Sequence, residues 1–206
     1  MMQAIFTSIW TGSPACYLII AGIFVTSLFS IYNKTVLTQL FFHPYSVISN
    51  HQYYRLISGD FVHNDIIHLF INEIILVTFG SNLESYLNLK MNHGSLAFLT
   101  IYLGSCLAGT IPAAIRHFRD FTYSSAGASG TITGCIFSYV MLRPKETAYF
   151  LPAIGAVNNL YGGLVFLMGL IIYRWKSDNE LINHEVHFYG AIGGIVITLL
   201  LIPGII

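Results

Sequence analysis

Apolar residues run along this chain in blocks of about 14 to 22, broken by short polar stretches. A hydrocarbon core of about 30 Å takes about 20 residues of helix to cross. The pattern therefore predicts six spans, at residues 13–32, 66–87, 95–115, 126–142, 160–173 and 185–201. The first connection, residues 33–65, is too long for a tight turn and carries Lys34, Pro44, Arg55 and Asp60. The fifth block is the least regular. Pro152 and the pair Asn158-Asn159 interrupt it, which puts residues 149–157 in a semi-buried loop ahead of the helix. Arg116 to Asp120, Arg143 to Lys145 and Lys176 to Asn183 mark the other polar connections. The expected fold is an all-α polytopic membrane protein, one domain over residues 1–206 with its core at about 13–205.

Parity orders the polar residues within this plan. Spans two, four and six run in the same direction, so their N-terminal ends share one face. His63, His68 and Asn72 lie at the start of the second, Ser129 at the start of the fourth and His187 at the start of the sixth. Depth follows from helix rise. Ser129 to Leu142 climbs roughly 20 Å at about 1.5 Å per residue. With Arg143 at the far interface, Ser129 lies roughly 10 Å below the near surface. His187 to Pro203 gives roughly 24 Å, so the two can meet at similar depth in a cavity that water must reach.

Composition agrees. Hydrophobic residues make up 55% and charged residues 9%, against about 25% charged in soluble domains. The chain is an integral membrane protein in contact with the bilayer. Its net charge of zero gives a nucleic-acid partner no electrostatic support. Cys16, Cys106 and Cys135 all sit in apolar runs, without a C-x-x-C, and read as small buried hydrophobes. No metal or organic cofactor is expected. Residues 1–12 lack the basic region of a cleavable signal peptide, so the first block reads as a retained span. Short loops without appended domains suggest a bacterial inner membrane. Nothing in the sequence sets an oligomeric state.

The chemistry centres on Gly127-Ala128-Ser129-Gly130, followed by Gly134. One reading is a helix start with a small face for close packing. The other is a nucleophile inside the bilayer. Serine needs a base, and His187 is the best candidate. Gly190 and Gly194 follow it on one helix face and would let span six approach the small face of Gly130 and Gly134. Ionisable groups within spans are usually functional, because burying them is expensive. An acyl-transfer site also needs oxyanion donors. The Ser129 backbone N–H at a helix N-terminus is one. His68 and Asn72, four apart on one helix face, either converge on the same point or hold two spans together.

These pieces, in this order, resemble the rhomboid intramembrane serine proteases. The match rests on Gly127-Ala128-Ser129-Gly130 with Gly134, His68 with Asn72, and His187 with Gly190 and Gly194. Tyr54-Arg55, Gly80 with Leu83-Glu84, and the approach Asn183-His184-Glu185-Val186-His187 extend it from about Tyr54 to Gly194. The resemblance implies a six-helix rhomboid-like bundle with a partly membrane-embedded first loop. It implies a Ser129–His187 dyad without a required acid, and an oxyanion held by His68, Asn72 and the Ser129 N–H. It implies structural polar contacts for Arg55 and Glu84, and a structural or water-access role for His63. The substrates implied are transmembrane proteins, cut within or near their single helix.

Two departures stand out. Thr133 occupies the position four after the serine where the family commonly has an aromatic, so Phe188 or Tyr189 would have to pack on the imidazole. The family topology also puts Lys90, Arg143 and Lys145 inside and Lys34, Arg55, Arg116, Arg119, Arg174 and Lys176 outside, against the positive-inside rule. Two other function classes fit the composition. A proteolytically inactive rhomboid-like protein would bind membrane helices, but such proteins usually lack the Ser or the His. A small proton-coupled transporter would show paired internal repeats, and no convincing repeat relates the two halves.

Overall fold

A computed structural model of the chain describes residues 12–151, 155–165, 168 and 184–203. Helix α1 spans Pro14–Tyr32. Its N-terminus is set by Pro14, whose missing N–H costs nothing in a first turn. Three short helices then fold the first connection: α2 (Lys34–Leu40), α3 (Pro44–Ser49) and α4 (Arg55–Ser58). A 3-10 turn, Gly59–Phe61, leads towards the next long helix. That helix runs from Ile66 to Lys90, as α5 (Ile66–Ile75), a π-helical turn (Leu76–Gly80) and α6 (Ser81–Lys90). Helix α7 is Gly94–His117, α8 is Ser129–Leu142 and α10 is His184–Leu201, with α9 formed by residues 159–165 between them.

Among the described residues, α1, the Ile66–Lys90 helix, α7 and α10 are long and apolar enough to cross a membrane, and α8 is a shorter apolar helix. Five expected spans thus match within a few residues. Half of the fifth, expected at 160–173, lies outside the described residues. The semi-buried loop expected at 149–157 is instead part of an antiparallel hairpin, β1 (Thr147–Leu151) with β2 (Gly155–Asn158). Thr147, Phe150 and Val157 favour extended backbone, and Gly155 has the positive φ of 93° that ordinary residues resist. Behind it, Asn159 ties the start of α9 to the end of α8. Its Nδ2 donates to Arg143 O at 2.7 Å and its backbone N–H to Glu146 O at 2.7 Å.

In lipid, helices gain little from leaving the solvent, so close packing and polar contacts must hold them together. Both occur here. Cys16, Ile23, Leu69, Leu76, Ile101 and Ile132 form part of one fully buried core between α1, α5, α7 and α8. Glu84, wholly buried in α6, reaches the N-terminus of α1 and accepts from Ala15 N at 3.0 Å and Cys16 N at 2.7 Å. A helix start leaves its first amides without intrahelical acceptors and favours negative charge there. Glu84 thus caps α1 from another helix. Glu84→Ala should cost about 2–3 kcal/mol, since both donors stay buried and unsatisfied. Glu84→Gln, which keeps one acceptor, should cost about half. Thermal unfolding in detergent measures both.

The first connection is folded around Arg55. Its side chain is buried, with Nε on Gln52 Oε1 at 2.6 Å and Nη1 on the carbonyls of Thr38 and Phe41, both at 2.9 Å. Those carbonyls close the C-terminal end of α2, where a cation is favoured. Ser58 Oγ donates to Leu40 O at 2.6 Å and Tyr54 OH to Gln39 O at 3.0 Å. Buried in this way, Arg55 is a structural cation of the first connection.

Candidate active site

The serine segment is held in an unusual backbone. Gly127 has φ +118°, and its N–H donates to Gly59 O at 2.9 Å. A Cβ there would lie 2.6 Å from His68 Cε1, 3.0 Å from His68 Nε2 and 3.3 Å from His63 Cδ2. Glycine is required twice over, by the dihedral and by the two imidazoles against it. The chain then enters α8 at Ser129, which is partly exposed while Ala128 and Gly130 on either side are buried. Gly127→Ala is expected to displace His68 and to cost about 1–3 kcal/mol in backbone strain. A melting curve in detergent measures the loss.

The histidines come from the start of α5. Asp65 caps that helix by accepting from His68 N at 2.8 Å. The cap fixes the register that puts His68 and Asn72 on one face. His63 is fully buried and packs edge-on against His68, with ring centroids 4.9 Å apart. Its Nδ1 meets Ser27 Oγ at 2.8 Å and its Nε2 meets Asn72 Nδ2 at 2.9 Å. The same Nδ2 donates to His68 O at 3.1 Å. A carbonyl only accepts, so this bond orients the Asn72 amide and makes His63 Nε2 the acceptor. His63 Nδ1–H then donates to Ser27, whose hydroxyl donates on to Phe61 O at 3.1 Å. Burial, with His68 beside it, pushes the His63 imidazole down to about 3, so it stays neutral. His63 therefore joins α1 to α5, in keeping with a structural role. Both N–H groups of Asn72 are engaged by His63 and His68 in this state, whereas His68 turns its ring edge towards Gly127.

His187 is buried in the first turn of α10. The glycine faces expected from sequence meet here. A Cβ on Gly130 would lie 2.6 Å from Val186 Cγ1 and 3.3 Å from Val186 O. One on Gly190 would strike Gly130 O, and one on Gly194 would strike Gly134 O. On its other side α10 packs on α7, where a Cβ on Gly109 would lie 2.8 Å from Val186 O. Ser138 Oγ donates to Gly194 O at 3.1 Å and joins α8 to α10 further down. Close approach of bare backbones brings the segment preceding His187 onto the residue following Ser129. Thr133, in place of an aromatic, turns its hydroxyl back onto Ser129 O at 2.7 Å. Phe188 and Tyr189 stack edge-on against each other, with centroids 5.4 Å apart.

A polar anchor beside the site was not singled out from sequence. Glu185, two residues before His187, meets His117 Nε2 at 2.9 Å and Arg116 Nη1 at 3.3 Å. His117 stacks flat on Tyr123, with centroids 3.9 Å apart. The signal was available: Arg116-His117 ends the third span on the face where the sixth begins with an acid. Arg116 is mostly exposed, so its pair contributes little, but the partly buried His117 bond fixes the entry of α10.

A family model described as Rhomboid domain matches residues 50–204. Rhomboid protease GluP of Bacillus subtilis (strain 168) is 30% identical over 149 residues, 72% of this chain and 26% of that protein. RHOMBOID-like protein 12, mitochondrial, of Arabidopsis thaliana is 27% identical over 186 residues, 83% of this chain and 52% of that protein. The chain thus spans about a quarter and about half of the length of these relatives. The order of the motifs, the helical membrane bundle and the match over residues 50–204 agree: this chain belongs to the rhomboid family.

Proposed function

We propose that the chain is an intramembrane serine endopeptidase that cuts transmembrane proteins within or near their single helix. The observation that carries this reading is the setting of Ser129. Gly127 lies against His68 on one side, and Gly130 lies against the residue before His187 on the other. Ser129, partly exposed, stands between them.

In the proposed mechanism, His187 takes the proton of Ser129 as its Oγ attacks a peptide carbonyl. His68 and the Ser129 N–H hold the oxyanion, and Asn72 joins them by releasing one of its two present bonds. His187 then protonates the leaving amine, and water resolves the acyl-enzyme. The substrate segment must unwind first, because a helix hides its carbonyls in hydrogen bonds. Glycine, proline or polar residues near the cut make that easier. A single domain over residues 1–206, in a bacterial inner membrane with the site open to the extracytoplasmic side, fits this chemistry.

Cleavage of a labelled model transmembrane substrate in proteoliposomes tests the reading. The wild type should cut and Ser129→Ala should not. A folded Ser129→Ala that still cuts would remove Ser129 as nucleophile. A folded wild type that only binds the substrate would favour the helix-binding alternative, and pH-driven flux surviving Ser129→Ala would favour a transporter.

A further inference from the structure

Two adjacent residues of the first connection hold the serine segment on both sides. Gly59 O accepts from Gly127 N at 2.9 Å, two residues before Ser129. Asp60 Oδ2 accepts from Thr131 Oγ1 at 2.5 Å, two residues after it. The same segment is tied once more, by paired backbone bonds of 2.9 Å between Phe42 and Ser125. Gly59 is itself pinned, since a Cβ there would lie 2.9 Å from Phe42 N.

Asp60 is the costly member of this set. It is 5% exposed and Thr131 is 1% exposed. Tyr102 and Cys106 of α7 and Cys135 of α8 are the titratable groups that face it among the described residues, and none of them is a cation. Burial pushes its carboxyl up to about 7, against the pull of the hydrogen bond from Thr131. A buried carboxyl without a counter-ion is expensive unless its hydrogen bonds are kept. Successive residues turn about 100° around a helix, so Thr131 leaves α8 on the side away from Ser129. Asp60 therefore grips the helix on the face opposite Ser129.

We propose that the Asp60–Thr131 hydrogen bond is a brace that sets the position of Ser129, which makes Asp60 a positioning residue for the cleavage reaction. The inference rests on the reading of Ser129 as nucleophile. Its physical basis is that small misplacements of a reacting group cost large factors in rate. The brace also explains a polar Asp in an otherwise apolar turn, which neither the dyad nor the oxyanion donors require.

The test uses the full chain in detergent. Three readouts are taken per folded molecule: kcat and KM on a transmembrane substrate, the rate at which a fluorophosphonate modifies Ser129, and the melting temperature. Thr131→Val keeps the shape and removes the donor. It should lower kcat and the fluorophosphonate rate together by about tenfold, with KM within about twofold. Thr131→Ser, which restores the hydroxyl, should recover both. Asp60→Asn keeps an acceptor and should retain most of kcat, whereas Asp60→Ala should not. If Thr131→Val does not fold, the Asp60 pair decides, and equal kcat for Asn and Ala would overturn the brace. A folded Thr131→Val with wild-type kcat would also overturn it. The two readings fail separately. A wild type that cuts, with an inert Ser129→Ala and a fully active Thr131→Val, sinks the brace alone. A wild type whose Ser129 neither reacts nor supports cleavage sinks the nucleophile and the brace together.

Discussion

Gly194→Ala should destabilise the chain by about 3 kcal/mol, at the upper end of the cost of overpacking, and should remove most of the cleavage activity proposed for it. The added methyl carbon would lie 2.6 Å from the Gly134 carbonyl carbon and 2.7 Å from its Cα. These are backbone atoms in the middle of α8, so no side chain can rotate away. The helices must part, and with them the segments that carry Ser129 and His187. Gly190→Ala meets Gly130 in the same way, one turn nearer the site. Gly163→Ala is the control. Its methyl would lie 3.2 Å from Val140 Cγ2 and 3.5 Å from Ile136 Cγ2, both side-chain atoms that can yield. Melting temperatures in detergent should therefore fall steeply for the first two variants and little for the third. Equal losses in all three would mean that the α8–α10 approach is not what holds the site.

His187→Ala should lower kcat by about 10²–10⁴-fold, the usual contribution of a positioned acid–base group, with KM nearly unchanged. In the proposed mechanism the histidine moves a proton and does not grip the substrate, so its loss falls on the transition state and not on ground-state binding. The neighbouring bond of Glu185 to His117 holds the start of α10 independently of the imidazole. The helix should therefore stay in place, and the melting temperature reports whether it does. A fall in kcat no larger than the loss of folded protein would take the proton-transfer role from His187.

The parts of the fold legible in the sequence were those set by hydropathy alone. The long apolar blocks gave α1, the Ile66–Lys90 helix, α7, α8 and α10, because in lipid every backbone group must be satisfied within its own segment. The hairpin at Thr147–Leu151 and Gly155–Asn158 was not legible, because a short mixed segment beside a proline and two asparagines carries no clear period. Within the site, Gly130, Gly134, Gly190 and Gly194 could be singled out because small residues at helical spacing signal close approach. The partners of Arg55 and Glu84 could not be read. Both are long side chains that reach backbone groups distant in sequence, at Thr38 and Phe41 in one case and at Ala15 and Cys16 in the other. Asn72 shows the same limit. Its spacing from His68 was visible, but its engagement with His63 depends on an imidazole held by Ser27 from another helix. Asp60 was visible only as one polar residue of a long connection, and its meaning came from Thr131.

The most direct measurement of the central claim needs no knowledge of the natural substrate. The folded wild type, Ser129→Ala and His187→Ala would be treated with a fluorophosphonate, and the modified residue would be located by peptide mass mapping. An activated serine should give one adduct, on Ser129, at least about 100 times faster in wild type than in His187→Ala, and none at that position in Ser129→Ala. A folded wild type left unmodified at Ser129, or labelled there as fast without His187, would contradict the account.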